Sequence, residues 1–253
     1  MTHESMNRGR PQALKLALVL AALIALPACD SAEKQKAAAA AAAAEQGAAK
    51  ESKAQEIGKQ FDAQFAQHNW ELARAHGEEL VVMHPDSPVT ARIRAQYEEA
   101  KAKSLAARDK MRLALLWDYQ TVQVKSGKDQ LSAALYSKES VDTGGDAKHP
   151  VRLIFRDHPE WGRSSYLVLE AGDFDCYSGC RLKVVADGKT HALPGSRPKT
   201  EEAIAMFIED EAALWKHAQN ARQIAIEFPI KAGGTRTAIF VTGGLDPSKL
   251  PKW

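Results

Sequence analysis

The sequence predicts an α+β protein in which an N-terminal helical hairpin or small bundle is followed by an antiparallel β-sandwich with one helix inserted. Three observations lead there. Between residues 57 and 116 apolar side chains recur at helical spacing; beyond Trp117 they fall in short alternating runs bounded by turn residues; and within that second region one stretch, Asp210 to Ala221, returns to helical texture. The boundaries predicted are 1–28 for a leader, 29–56 for an Ala/Lys/Glu-rich spacer, 57–116 for the helical part and 117–253 for the sandwich-like domain.

The leader is the apolar run Leu16–Leu26, preceded by Arg8, Arg10 and Lys15 and followed by small residues. A bilayer-spanning helix needs roughly 20 apolar residues, and this run reaches only about half of that. A basic n-region, a short apolar h-region and small residues after it form the layout of a secretory signal peptide. A core helix would carry polar residues on one face, whereas this run is apolar all round and ends on Pro27.

Next, 29–56 reads "DSAEKQKAAAAAAAAEQGAAKESKAQE" after Cys29, with no large apolar residue before Ile57. It has nothing with which to build a core, yet alanine and straight-chain polar residues are the best helix formers. A semi-rigid spacer with transient helix is expected.

In the helical part, Ile57, Phe61 and Phe65 mark a first amphipathic stripe, His68-Asn69 a turn, and Trp70–Met83 a second helix. "HPDSP" breaks the chain, and Ser87 can cap a third helix with Pro88 at its first position, where a missing N–H costs nothing. Ile93, Tyr97, Ala100, Ala107, Met111 and Leu115 are the expected packing face of that helix.

The strands are predicted from "WDYQTVQV" and "QLSAALYS" around Ser126-Gly127, then "VRLIFR", "SYLVLE", "RLKVVA" and "KTHAL" around Asp187-Gly188, and finally "IAIEFPI" and "RTAIFV". Asp-Gly between two such runs signals a type I′ hairpin. Pro229 within its run predicts an edge strand or a bulge. Acidic residues open the inserted helix, where the helix dipole favours them.

The tetrapeptide Leu26-Pro27-Ala28-Cys29 resembles the lipobox of bacterial lipoproteins, although Pro27 departs from the usual small or β-branched residue. That resemblance implies cleavage before Cys29, a diacylglyceryl group on its thiol and acylation of the new amino terminus. Several acyl chains anchor a protein stably where one is marginal. The mature chain is then expected on the periplasmic face of the inner or outer membrane, with Asp30 resembling the acidic signal that favours the inner one. Removing Arg8, Arg10 and Lys15 against Glu4 takes +2 from the formal net charge of +2, so the mature chain is neutral and offers no electrostatic case for nucleic acid.

With Cys29 assigned to lipid, Cys176 and Cys180 in "FDCYSGCRL" remain, in an oxidising compartment, and a disulfide is expected. Their spacing is not the C-x-x-C of thioredoxin-like enzymes, and a zinc site would want more ligands. Closing so small a ring gains little chain entropy, so its expected role is to hold a turn.

Two further resemblances are noted. "NWELARAHGEELVVMHPDS" resembles the second helix of a tetratricopeptide repeat, through Trp70, Ala73 and Pro85, but Gly77 stands where an aromatic is expected and no second copy follows. "SAALYS", "LIFR", "FDCYSGCRLKVVADG", "AMFIEDEAALWKHAQNARQIAIEFP" and "IFVTGGL", from Trp117 to Leu245, resemble the β-sandwich domain of type VI secretion accessory proteins of the TagO/VasI kind and of related exported bacterial proteins. That resemblance implies a fold and a compartment, and no catalytic residue.

Chemistry-bearing motifs are sparse. The sequence has no phosphate loop, no H-E-x-x-H and no G-x-S-x-G around Ser164-Ser165, and neither a catalytic residue, a metal ligand nor a cofactor is assigned. His68, His76 and His84 read as scattered surface histidines. One connection, "RDHPEWGR", gathers Arg156, His158, Trp161 and Arg163 as a candidate partner-binding loop, with the aromatic as anchor. The expected function is therefore a non-enzymatic envelope lipoprotein that binds or assembles another envelope protein. The alternatives are a ligand-binding or hydrolase-inhibitor module and, behind it, an envelope hydrolase.

Overall fold

A computed structural model describes residues 28–199 and 204–253; the leader, with Leu26 and Pro27 of the lipobox-like tetrapeptide, lies outside the described residues. Three helices come first: α1 (Ala28–Ala66), α2 (Trp70–Met83) and α3 (Pro88–Ala114). The spacer is not a separate element, because α1 runs through it without a break for 39 residues. Its stretch 31–50 is exposed throughout, so alanine propensity rather than packing accounts for helix there. Among the described residues no helix is long and apolar enough to cross a membrane.

Packing begins at Ala54. With Phe61, Ala73, Leu80, Ile93, Tyr97 and Ala100 it forms a compact three-helix core, to which Ile57, Phe65 and Trp70 add their partly buried side chains. The turn falls at His68, whose φ of 57° reverses the chain, and Phe65 meets Trp70 edge-on across it at 5.4 Å. Ser87 caps α3 by accepting from the Val89 amide, and Thr90 donates to the His84 carbonyl at 2.7 Å, tying the start of α3 to the end of α2. Gly77 is explained by Tyr97: a Cβ at 77 would lie 2.3 Å from the tyrosine ring. At this position α2 gives the tyrosine of α3 room.

The predicted face of α3 holds only in its first half. Ile93, Tyr97 and Ala100 are buried, whereas Ala107 is exposed and Met111 and Leu115 are 62% and 85% exposed. The reason is length. The last tie to α2 is made around Glu71, which accepts from Ser104 at 2.5 Å and pairs with Arg108 and Arg74, bonds that pull its carboxyl down to about 2. Beyond that point α3 leaves the bundle. Its final turn instead seats Leu113 on Gly243-Gly244, where a Cβ on Gly244 would lie 2.5 Å from the leucine backbone, and Asp109 pairs with Arg222 at 2.8 Å.

The remainder is one open antiparallel sheet of nine strands: β1 (Asp118–Gln123), β2 (Asp129–Tyr136), β3 (Arg152–His158), β4 (Gly162–Val168), β5 (Cys180–Ala186), β6 (Lys189–Ser196), β7 (Ala205–Ile208), β8 (Ile224–Pro229) and β9 (Thr235–Phe240). Their spatial order is β1-β2-β3-β4-β7-β6-β5-β8-β9. The predicted class, α+β, is therefore seen, with the strands in a single hydrogen-bonded order. The four-residue β7, which was not predicted, joins β4 on one side to β6 on the other. The sheet curls: Lys138, just after β2, donates to the Ile239 carbonyl of β9 at 2.7 Å.

Inside the curl one core gathers Leu153, Phe155, Leu167, Val184, Met206, Ile226, Phe228 and Phe240 from six of the nine strands. Helix α4 (Glu211–Asn220), capped by the Asp210 carboxylate on the Ala213 amide, adds Leu214, Trp215 and Ala218 to it. Asp187 and Gly188 have φ of 48° and 75°, both in the left-handed region that a type I′ turn requires. Pro229 corrects its expectation, since β8 is an inner strand between β5 and β9. The proline is tolerated because the β5 ladder ends at Glu227, two residues before it.

Candidate functional site

The connection "RDHPEWGR" is a tight hairpin, and strand alternation divides its residues. Arg156 pairs with Ser164, Asp157 with Arg163 and His158 with Gly162. Successive residues of a strand face opposite sides of a sheet. Arg156, His158, Ser164 and Tyr166 therefore share the outer face, while Asp157 and Arg163 turn to the other.

On the outer face Trp161 is 70% exposed, yet its ring is not loose. It stacks on the His158 ring at 3.9 Å with 9° between planes. His158 is itself buried, and its Nδ1 accepts from the backbone amides of Glu160 and Trp161 at 3.2 and 3.3 Å. Those two bonds place the proton of the neutral ring on Nε2 and fix the plane on which the indole rests. Arg156 lies over Trp161 at 5.6 Å and over Tyr166 at 5.4 Å, and its Nε donates to Ser164 Oγ at 3.2 Å. Tyr166 then meets Phe207 of β7 at 5.5 Å. The result is a row of rings and one guanidinium crossing β3, β4 and β7.

Of the four predicted residues, three are brought together and Arg163 is not. Arg163 stacks over Trp253 at 5.7 Å and donates to the Lys252 carbonyl, while Lys252 reaches the buried Asp157 at 3.6 Å. It fastens the C-terminal segment over the core, where Trp253 meets Phe155 and Trp215. Tyr166 and Phe207 were missed by sequence reasoning. Tyr166 becomes legible once the hairpin register is assigned; Phe207 depends on placing β7 next to β4.

Cys176 and Cys180 form the predicted disulfide, with Cα atoms 5.1 Å apart. It closes the turn that leads into β5, beside the buried pair of Arg197 and Asp173 at 2.8 Å. Loop-closure entropy for so short a ring is worth about 2 kcal/mol. Cys176→Ser with Cys180→Ser should therefore lower unfolding stability in urea by about that amount, with the folded far-ultraviolet dichroism kept. A loss well above it would mean the bond also holds the core.

A second cluster was not foreseen. His191 on β6 and His217 on α4 lie with ring centroids 4.0 Å apart and planes tilted by 35°, lining a cavity of about 320 Å³ with Lys189, Lys216, Asp187 and Asn220. Burial and then His191 hold the His217 imidazole below its ordinary value; Asp210 opposes them, and Lys216 adds the smallest effect in the lowering direction. A depressed histidine means that the unfolded chain binds more protons just below about pH 6.5. Stability should therefore fall as pH drops from about 6.5 towards the lowered value and level off beneath it. His217→Gln should flatten that part of a pH series of urea midpoints; an unchanged slope would assign it elsewhere. Among the described residues no group of three or more His, Cys, Asp or Glu side chains is placed to hold a metal ion.

Fold and site together define an α+β protein whose long helical arm leads to an open, curled sheet with an aromatic–arginine row on its outer face. Compared with known protein families, with curated proteins and with solved structures, the chain finds no match.

Proposed function

We propose that the chain is an envelope lipoprotein, anchored through lipid on Cys29, that works without catalysis as a protein-interaction or assembly module. The observation that carries this reading is Trp161, a large aromatic left 70% exposed and yet held flat on a buried histidine. Leaving an indole in water forgoes burial energy, and immobilising it in advance reduces the entropy lost when a partner covers it. Tryptophan, tyrosine and arginine are the residue types that dominate interface energies, and all three stand side by side in this row.

The arm fits a tethered module. From Ala28 to Ala54, where helix packing begins, α1 rises about 40 Å at 1.5 Å per residue, enough to hold the sheet clear of a bilayer surface. The signal-like leader and the lipobox-like tetrapeptide support the periplasmic side of a bacterial membrane, with Asp30 favouring the inner one. In this reading the curled sheet is the sandwich-type fold that the TagO/VasI-like resemblance implies, its two halves facing one another across a shared core.

The test is crosslinking in intact cells from a photoreactive residue at position 161, with position 189 on the far hairpin as control. Capture of one defined envelope protein from 161 alone is expected. Equal capture from both positions, or none from 161, would overturn the interaction surface. Cys29→Ser should move the chain from the membrane to the soluble fraction; retention in the membrane would overturn the anchor.

A further inference from the structure

We infer that Arg156 is a carboxylate receptor, and that the partner offers the row a protein segment carrying Asp or Glu beside a large apolar side chain. This rests on the reading of the hairpin face as a partner surface and adds the chemistry that the surface selects.

The geometry of the guanidinium is the argument. Its central carbon lies over the Trp161 ring at 5.6 Å and over the Tyr166 ring at 5.4 Å, and its Nε donates to Ser164. The two terminal nitrogens are left, and among the described residues neither has a hydrogen-bond or ion-pair partner. That pair of amino groups matches the two oxygens of a carboxylate.

The neighbouring cation of the face, Arg152, is already engaged. Asp118 takes Arg152 at 2.7 Å, and Glu209 accepts from Ser196. Glu160, in the hairpin turn, makes no ion pair with Arg156. Of the two neighbouring arginines, Arg156 is therefore the one without an ion pair, and the Trp161 and Tyr166 rings lie beside it. Stacking fixes a planar cation in place, which a flexible ammonium cannot copy. On either side the exposed Trp161 and the Tyr166–Phe207 pair ask for apolar cover, so the complementary group is a carboxylate with an apolar neighbour.

The experiment selects random dodecapeptides on the immobilised full chain and repeats the selection with Arg156→Gln, Arg156→Lys and Trp161→Ala. The wild type should enrich Asp or Glu within two positions of Phe, Trp or Leu. Arg156→Gln should lose the acidic preference and bind the best peptide about tenfold or more weakly, as removal of a charge-assisted bond predicts. Arg156→Lys should not restore it, and Trp161→Ala should lose the apolar preference. An acid-free consensus, equal affinity for Arg156→Gln, or no enrichment at all overturns the inference. So does binding of polygalacturonate in place of peptides, which would make the ligand a sugar acid. The crosslink from position 161 in cells separates the two levels: a partner still captured equally by Arg156→Gln keeps the surface and removes the carboxylate.

Discussion

Replacing Arg197 with Met should cost about 3–5 kcal/mol of stability, the largest loss expected from any single substitution considered for this chain. The Arg197 side chain is 4% exposed and donates to Asp173 at 2.8 Å and to the Phe174 carbonyl at 2.9 Å. Its methylene stem would be reproduced well enough by methionine, so the volume term is small. What remains is the Asp173 carboxylate, 10% exposed, which has lost its 2.8 Å guanidinium partner and keeps Lys231 at 3.4 Å, a side chain mostly in water. Breaking a buried pair by removing one partner leaves an uncompensated charge, and that penalty exceeds the worth of the pair itself.

The same argument predicts a reversal. Arg197→Met together with Asp173→Leu removes both charges and should recover most of the loss, because replacing a buried pair by apolar groups is often nearly neutral. Urea unfolding of the two single variants and the double variant measures this directly. A double variant no better than Arg197→Met would mean that the hydrogen bond to the Phe174 carbonyl, rather than the pair, holds the disulfide turn in place.

None of this pair was legible in the sequence, and the reason is distance along the chain. Asp173 and Arg197 lie on either side of a complete hairpin, and each alone reads as a surface charge. Local signals fared better. Ser87-Pro88 and Asp187-Gly188 each state their own cap or turn through backbone chemistry that acts over two to four residues, and each forms as predicted, while Asp210, read as the first acidic residue of its helix, serves as the cap just before it. The failures lie where partners decide. Met111 and Leu115 continue a helical stripe that has nothing left to pack on, and β7 is too short to announce itself before β4 and β6 flank it. For the site, the hairpin loop was readable as a cluster of chemistry. Its division into two faces needed the register, which separated Arg163 from Trp161 and brought Tyr166 to Arg156.

Trp161→Ala should weaken partner binding by at least about 2 kcal/mol, roughly 30-fold in affinity, while leaving the fold within about 1 kcal/mol of its starting stability. The two numbers separate because the indole sits mainly in water. Folding buries only its contact with His158 and part of one edge, and an aromatic stack of that kind is worth about 0.5–1.5 kcal/mol. Binding, by contrast, would cover the remaining 70% of the side chain and dehydrate the Arg156 beside it. Trp161→Phe is the informative companion, since a smaller ring can still stack on His158 and should keep part of the affinity. Measuring capture efficiency from a second crosslinking position, Ser164, together with urea midpoints for both variants, places each effect. A stability loss of 3 kcal/mol or more for Trp161→Ala would make the ring a structural cover for His158, and an unchanged capture would move the interface off this face.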